Sequence, residues 1–267
     1  MARTPMLSSL LWLALGACGD DGGANHLPDA PHADANPAQP TAVVASSLAL
    51  MSPCGVAMPD TVDLPIMNGG TSDLVVSAAD APPGFTVTTA LPLTIAAGAT
   101  TPLTIRPPAA VIGTDLGGDT KTGTLTLTTN DSDGSHAIAL TSTIAGANVQ
   151  FFDQAGDEVS TATLDGTGGV CPAPRSLTIA NSGTSPVTID QGTTTGFSGF
   201  GFAGFSGATI GGTSSTTITI DMQNSMSQCS GTGSVTFVAT ADNLCTPTPS
   251  ITLEYSVSGA SGACFCS

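Results

Sequence analysis

The feature that most constrains the fold is an alternation of apolar residues at every second position, in short stretches that recur along two halves of the chain. A period of two places the apolar side chains on one face of a β-strand. No long stretch has the 3.6-residue period of a helix, so the sequence predicts an all-β fold. The alternating positions are Val62, Leu64 and Ile66, Leu103 and Ile105, Leu125 and Leu127, Ile138 and Leu140, then Leu177 and Ile179, Ile218 and Ile220, Val235 and Phe237, and Ile251, Leu253, Tyr255 and Val257.

The two halves are copies of one unit. The turn Asn68-Gly69-Gly70-Thr71-Ser72 is matched 113 residues later by Asn181-Ser182-Gly183-Thr184-Ser185. Offsets between matching motifs drift only in loops, as an internal duplication predicts. Short alternating stretches separated by frequent turn signals are typical of antiparallel β-sandwiches. We therefore predict two tandem sandwiches, one at 42–147 and a cysteine-rich one at 148–267.

Turn motifs give the copies a family resemblance. An Asn-x-Gly-Thr turn, the Gly84-Phe85 and Gly196-Phe197 pairs, and Thr129-Asn130-Asp131 before a final strand resemble Hydin-type immunoglobulin-like domains, which occur in bacterial choice-of-anchor proteins. The resemblance implies that both sandwiches are immunoglobulin-like. Because the shared motifs are turns and core positions, it implies fold and not activity.

The N-terminus resembles the signal of a bacterial lipoprotein. Arg3 precedes an apolar run, Met6 to Ala17, that is too short to span a bilayer, and Leu15-Gly16-Ala17-Cys18 resembles a lipobox. The resemblance implies that residues 1–17 are removed as a signal peptide and that Cys18 is lipidated. Two or three acyl chains on one cysteine give lasting membrane attachment. We therefore expect a membrane-anchored lipoprotein of the bacterial cell envelope, either on the periplasmic face of the outer membrane or on the cell surface.

Residues 18–41 are expected to form a disordered tether behind the lipidated cysteine. Ala, Pro, Asp, Asn and His dominate the segment, so it has too little apolar side chain to offset the entropy of ordering. The membrane is therefore one predicted partner, reached through the lipid anchor.

The amino-acid composition limits the other kinds of partner that the chain can bind. The chain has 20 acidic and 4 basic residues, and loss of Arg3 with the signal leaves 20 against 3, a formal charge of −17. Electrostatic repulsion from phosphates excludes nucleic acid as a partner. Trp12 also leaves with the signal, so few aromatic anchors of the kind used in sugar sites and binding hot spots remain.

The sequence predicts no enzyme and no resident cofactor. Nucleophilic catalysis needs a base beside a serine or cysteine, and His136 is the one histidine in the predicted folded part. It lies at a predicted strand start and is interpreted as a surface strand residue. No catalytic constellation is therefore expected.

Six cysteines remain after the anchor: Cys54, Cys171, Cys229, Cys245, Cys264 and Cys266. An even number in an exported chain indicates disulfides, with 15 possible connectivities. In the expected topology, Cys54 faces the second sandwich and Cys245 faces the first, so we predict a bridge that joins the two domains. The other four map to the far pole of the second sandwich, where we favour two bridges tying Cys264 and Cys266 to Cys171 and Cys229.

Calcium is a further possibility. Asp131-Ser132-Asp133-Gly134 resembles part of a calcium loop, although it lacks the distal Glu and also suits a hairpin turn. Asp115 and Asp119 form a second acidic group. Asp153, Asp157 and Glu158 form a third, near the predicted domain junction. Calcium at any of these would stiffen loops, but no metal ligand set is assigned.

The run Gly196 to Phe205 contains four of the nine phenylalanines. Phe197 matches Phe85 and is expected in the core. Phe200, Phe202 and Phe205 have no counterpart in the first copy, so they either fill the second core or form an exposed patch that receives a partner.

These observations predict a non-enzymatic structural or protein-interaction module on the envelope, with a possible protein partner there. The alternative is a ligand-binding receptor or adhesin that uses the Phe/Gly loop at 196–205 or an acidic calcium site.

Overall fold

The computed structural model of the chain describes residues 38–167, 173–195, 201–202, 207–220, 222–226, 231–247, 249–258 and 264–266. These residues contain β-strands and turns and no helix, so the expected all-β fold is confirmed. Accordingly, the described part includes no helix long and apolar enough to cross a membrane. Sandwich 1 comprises β1 (Ala42–Val44), β2 (Ser47–Pro53), β3 (Val62–Asn68), β4 (Leu74–Asp80), β5 (Thr86–Val87), β6 (Leu93–Ile95), β7 (Thr100–Arg106), β8 (Thr120–Thr129) and β9 (Ser135–Ala145).

The second half of the chain, which contains sandwich 2, follows a similar order of strands, with eleven described strands where sandwich 1 has nine. It comprises β10 (Val149–Phe152), β11 (Thr161–Thr167), β12 (Arg175–Asn181), β13 (Val187–Thr195), β14 (Gly201–Phe202), β15 (Ala208–Ile210), β16 (Ser214–Ile220), β17 (Met222–Met226), β18 (Gly231–Thr240), β19 (Ser250–Ser258) and β20 (Cys264–Cys266).

Two sheets form each sandwich. In sandwich 1 the strand orders are β1-β3-β7-β5 and β2-β9-β8-β4-β6, and in sandwich 2 they are β10-β12-β16 and β11-β19-β18-β13-β15. A small sheet, β14-β17-β20, adds to the second half. The expectation of two immunoglobulin-like sandwiches is confirmed.

Not every strand pair is antiparallel. β2 runs parallel to β9, and β11 runs parallel to β19, in contrast to the purely antiparallel sheets that the sequence predicts. The reason is that the first strand of each sandwich is split. In sandwich 1, β1 pairs antiparallel with β3 in one sheet, and the chain continues directly into β2 of the other sheet. In sandwich 2, a turn at 153–157 closed by the antiparallel Phe152–Glu158 bridge lies between β10 and β11. Period-two alternation is the same in both kinds of pairing, so the sequence could not distinguish them.

The alternating residues form two separate cores. Those of sandwich 1 include Leu64, Ile66, Leu103 and Leu125, all fully buried, and Phe85 packs with them as expected. The core of sandwich 2 is built from Leu164, Leu177, Ile179, Ile189, Ile220, Val235, Phe237, Ile251, Leu253 and Tyr255, among others. Burial of each large side chain stabilises a sandwich by about 1.5–3 kcal/mol. The two cores carry the fold independently and leave the junction between them to polar contacts and one small cluster.

Candidate functional site: the junction of the two sandwiches

A buried asparagine shapes the first repeated turn. The Asn68 side chain is fully buried, and its Oδ1 accepts the Gly70 N–H at 3.0 Å. Its Nδ2 donates to the carbonyls of Ser72 at 2.7 Å and Ile95 at 2.9 Å. An asparagine that bonds backbone two residues ahead stabilises a tight turn, so the role of this repeated motif is structural.

Asn181 makes the same turn in sandwich 2. Its Oδ1 accepts the Gly183 N–H at 3.1 Å, and its Nδ2 donates to the Ser185 carbonyl at 2.7 Å. Oδ1 also accepts the N–H of Asn148 at 3.1 Å, which ties the chain entering sandwich 2 to the turn. The duplication seen in the sequence is therefore repeated at the level of individual hydrogen bonds.

The chain entering each sandwich crosses its asparagine turn in the same way. In sandwich 1, the Gly69 N–H donates to the Thr41 carbonyl at 2.8 Å and the Thr71 N–H to the Gln39 carbonyl at 2.9 Å. Residues 39–41, assigned to the end of the tether on sequence grounds, thus bond to sandwich 1. In sandwich 2, the equivalent acceptors are the carbonyls of Asn148 and Gly146, so the end of sandwich 1 itself occupies this position.

A disulfide between Cys54 and Cys245 crosses the junction. The two Cα atoms are 5.2 Å apart, and the cysteines are 191 residues apart in sequence. Both side chains are buried, in a small cluster with Ala110 and Ile144. The bridge predicted between the two domains is present. It fixes the end of β2 to the turn between β18 and β19.

Glycines allow the backbones to meet beneath this disulfide. A Cβ on Gly146 would collide with the Cys245 Sγ and lie 2.7 Å from the Asn243 carbonyl. A Cβ on Gly117 or on Gly183 would collide with the Gly146 carbonyl oxygen. Three chain segments therefore pack at a distance that only residues without a side chain permit.

Asn148 connects the two sandwiches by its side chain. Its Oδ1 accepts the Gly117 N–H at 2.9 Å, and its Nδ2 donates to the Gly117 carbonyl at 3.1 Å. The side chain is buried, so both polar atoms are matched where water is excluded. In addition, the Gly113 N–H donates to the Cys245 carbonyl at 2.8 Å. The loop at 107–119 of sandwich 1 is thereby docked on sandwich 2.

Carboxylates shape this loop. Asp115 Oδ2 accepts the Val111 N–H at 2.6 Å and forms an ion pair with Lys121 Nζ at 2.7 Å. Burial raises the pKa of Asp115, but the bonds from Lys121 and Val111 outweigh burial and leave the pKa below its usual value. Asp119 Oδ2 accepts the Leu116 N–H at 2.9 Å. These two acidic residues therefore act as turn caps.

A cleft of about 500 Å³ opens beside the junction. Its walls come from β10, from the segment at 158–160, from the turn at 246–250, and from Leu116 of sandwich 1. Phe151, Val159 and Pro247 are among its apolar lining residues, and Gln150 and Glu158 are among its polar ones. Ligand pockets are often found at domain interfaces and commonly have volumes of about 300–1,000 Å³.

The acidic group at 131–134 lies at the opposite pole of sandwich 1. Asp131 Oδ1 accepts hydrogen bonds from Thr129 Oγ1 at 2.7 Å and the Gly134 N–H at 3.0 Å, while Oδ2 accepts the Ala42 N–H at 3.0 Å. His136 Nε2 lies 3.0 Å from Oδ2. Burial raises the pKa of Asp131, but these donors together lower it to about 2.

His136 differs from the surface strand residue that the sequence predicts. It does lie at the start of β9, but its side chain is only 14% exposed because it packs on Asp131. Asp131, Asp133 and His136 each offer a ligand atom, and these atoms lie within 4.8 Å of one another. Asp131 already accepts hydrogen bonds from β1, from β8 and from the turn between β8 and β9. This acidic group therefore joins β1 to the β8–β9 hairpin. The hairpin turn expected at residues 131–134 is present, with Gly134 at φ 68°.

The last acidic group forms a tight turn after β10. Asp153 Oδ1 accepts the N–H groups of Ala155 at 2.9 Å and Asp157 at 3.0 Å. Glu158 instead faces the junction cleft, where its Oε2 accepts a hydrogen bond from Gln150 Nε2 at 3.2 Å. Calcium at any of the three acidic groups stays a prediction.

Several predictions made from the sequence lie outside the described residues: the signal peptide at 1–17, residues 18–37 of the tether with Cys18, the core position of Phe197, and Cys171, Cys229, Phe200 and Phe205. For Phe202, Cys264 and Cys266 the structure describes the backbone. Phe202 pairs with Met222, and β20 runs antiparallel to β17 with Cys264 opposite Met226. The C-terminal Cys-Phe-Cys strand is thus paired with the segment that leads to Cys229 in the chain.

The sequence did not predict that Asn148 and the loop at 107–119 form a contact between the two sandwiches. Asn148 lies outside the repeated turn motif, and a lone asparagine between two apolar residues is no signal of a domain contact. The loop offered a weak signal in Val111, Ile112 and Leu116, three apolar residues within a glycine-rich and aspartate-rich segment.

The fold and the junction define an all-β protein of two immunoglobulin-like sandwiches joined by a buried interdomain disulfide. No family model and no curated protein matches the chain. Among solved structures, the chain is similar to the Escherichia coli chaperone DraB, with 13% identity over 82% of this chain and 96% of that one and a TM-score of 0.29. It is also similar to the Pseudomonas aeruginosa CupB2 chaperone, with 12% identity, coverage of 80% and 100%, and a TM-score of 0.30.

A third similar structure is the secreted serine protease VesC of Vibrio cholerae, with 9% identity over 70% of this chain and 44% of that one and a TM-score of 0.30. Likenesses of this size assign neither a family nor an activity to the chain.

Proposed function

We propose that this chain is a lipid-anchored protein of the bacterial envelope whose two sandwiches form one rigid, non-enzymatic module for protein interaction. The Cys54–Cys245 disulfide, together with the polar contacts around it, carries this proposal. Domains within one chain usually move relative to each other unless their interface is extensive. Here three features hold the two sandwiches in one orientation relative to each other: the Cys54–Cys245 disulfide, the two hydrogen bonds between the Asn148 side chain and Gly117, and the close packing of glycines.

A rigid pair presents its surface in one geometry, which lowers the entropy lost on binding a partner. The disulfide also supports an oxidising location, because such bridges persist in exported proteins and are rare in the reducing cytosol. Both points agree with the lipoprotein-like N-terminus and Cys18.

The proposal includes two further disulfides at the far pole of sandwich 2, between the C-terminal strand and Cys171 and Cys229. The pairing of β20 with β17 supports a position of Cys264 and Cys266 close to the segment that leads to Cys229. Peptide mapping of the unreduced protein tests the pairing. A free thiol at any of these four cysteines would contradict it.

Detergent partitioning tests the anchor. In Triton X-114, the mature wild-type protein should enter the detergent phase, whereas residues 19–267 exported behind a signal peptide without a lipobox, which cannot be acylated, should stay in the aqueous phase. Mass spectrometry should find an acylated Cys18 at the mature N-terminus. Recovery of the natural protein from the aqueous phase with any other N-terminus would refute the anchoring.

The rigid module is tested separately in solution. Residual dipolar couplings from the two sandwiches should fit a single alignment tensor in the wild type. Two independent tensors would mean that the sandwiches reorient freely, and the proposed module would then be wrong.

A further inference from the structure

Exposed apolar side chains are concentrated beside the junction cleft. Val111 is 55% exposed, Ile112 48% and Leu116 46%, so a six-residue stretch holds three of the seven large exposed apolar residues in the described part of the chain. Scattered apolar residues are normal on a protein surface, but a contiguous group often marks a binding surface. Leu116 also lines the cleft itself, so this loop reaches the cleft.

The loop at 111–116 cannot easily bury these side chains by folding back. Asp115 holds the Val111 N–H and Lys121, Asp119 holds the Leu116 N–H, and the Gly113 N–H is bonded to Cys245 across the junction. A Cβ on Gly113, at φ 79°, would lie 3.4 Å from Pro247, which lines the cleft. The apolar surface is therefore preorganised, which favours binding because the loop loses little conformational entropy when a partner binds.

The charge of the cleft indicates the kind of partner. Glu158 is the one charged residue among the described residues that line it. Its carboxylate accepts a hydrogen bond from the neutral Gln150 side chain, and Asp157 precedes it on the same turn. Lys121 of β8, which bonds the loop at 107–119, is already paired with Asp115. An acidic group beside apolar walls favours a cation attached to an apolar segment.

We propose that the junction cleft and the loop at 111–116 form a docking surface for an extended peptide segment of an envelope partner that carries apolar side chains next to a lysine or arginine. The proposal rests on the proposed interaction function and names its surface. Leu116 and Pro247 contact the apolar side chains, and Glu158 pairs with the cation. Residues of both sandwiches line the cleft, so its shape depends on how the Cys54–Cys245 disulfide and Asn148 hold the two sandwiches together.

Selection from a peptide library tests the proposal and requires no purified partner. The full mature chain in detergent micelles is presented to phage-displayed random heptapeptides, with a Leu116→Ser/Glu158→Gln variant as the counter-selection. We expect enriched peptides that combine apolar residues with a lysine or arginine. No enrichment over the variant would overturn the proposal, as would enrichment of peptides without a cation.

The affinity of one enriched peptide, measured by fluorescence anisotropy, then locates the site. Leu116→Ser and Glu158→Gln should each weaken binding about tenfold, which is typical of a residue at the centre of an interface. The control Val43→Ser changes a side chain that is 52% exposed on β1, next to Ala42, whose N–H donates to Asp131 at the pole of sandwich 1 opposite the junction, and it should leave the affinity unchanged. Equal affinities for all four proteins would overturn the proposal, provided that thermal unfolding shows each variant to be folded.

A second copy of the chain is the competing occupant. Sedimentation that shows self-association, abolished by Leu116→Ser, would assign the surface to a dimer and overturn the peptide proposal. If the peptide result is negative while Triton X-114 partitioning and the single alignment tensor hold, the docking surface is wrong but the anchored rigid module stands.

Discussion

Removal of the interdomain disulfide is the most direct test of the junction. A bridge stabilises a protein mainly by restricting the unfolded chain, and the restriction grows with the number of residues that it encloses. With a sequence separation of 191, the chain-entropy relation gives about 5 kcal/mol for the Cys54–Cys245 bridge. Engineered and natural bridges often contribute less, so we expect a Cys54→Ala/Cys245→Ala variant to lose about 3–5 kcal/mol of unfolding free energy.

The assay is guanidinium denaturation under non-reducing conditions, so that the wild type and the variant differ only in the Cys54–Cys245 bridge. For a slope of about 4 kcal/mol per molar, the denaturation midpoint should fall by roughly 1 M. The fold should persist, because the hydrogen bonds of Asn148 to Gly117 still join the sandwiches. Since the two cores are separate, the transition should also broaden or split as the sandwiches lose their coupling. A loss below about 1 kcal/mol with an unchanged single transition would refute the reasoning.

Three further outcomes follow from individual contacts. The pKa of Asp131 lies below its unfolded value, so its contribution, at most about 2 kcal/mol, is present above pH 4 and lost as pH falls towards 2. Asp131→Asn should therefore destabilise the protein at pH 7 and flatten its acid-stability curve in urea titrations, and an unchanged curve would contradict the assigned bonds. Gly146→Ala should lower the thermal midpoint through backbone collision, whereas Gly211→Ala, whose Cβ would lie 3.5 Å from its nearest neighbour, should not. Asn181→Ala should cost about 1–3 kcal/mol in denaturant titration because buried backbone groups lose their partner, and a neutral result would remove the turn from the stabilising contacts.

Local patterns allowed much of the fold to be predicted. The residues at alternating positions, such as Leu64 and Ile66, are the buried ones, and the copied Asn68 and Asn181 turns have matching hydrogen bonds. The Cys54–Cys245 bridge was also predicted, because the topology expected of two tandem immunoglobulin-like sandwiches places both cysteines at facing poles. The parallel pairing of β2 with β9 was not, since alternation carries no information on strand direction.

The candidate site was much less predictable. Leu116 comes from sandwich 1, Phe151 lies in β10, Glu158 follows it, and Pro247 lies in the turn between β18 and β19. No spacing in the sequence relates these residues. His136 similarly looked like a surface residue until its packing on Asp131 was known.

The sequence by itself determined that the chain forms two copies of a β-sandwich, because side-chain periodicity and turn chemistry act between near neighbours. It also determined the net acidity and the candidate lipid anchor, which need no folded geometry to be recognised. Only the tertiary structure decided which contacts join the copies in addition to the Cys54–Cys245 disulfide. These contacts are the hydrogen bonds between Asn148 and Gly117 and the close packing of glycines. These contacts and the cleft each depend on segments that are distant in the chain and meet only when both sandwiches have folded.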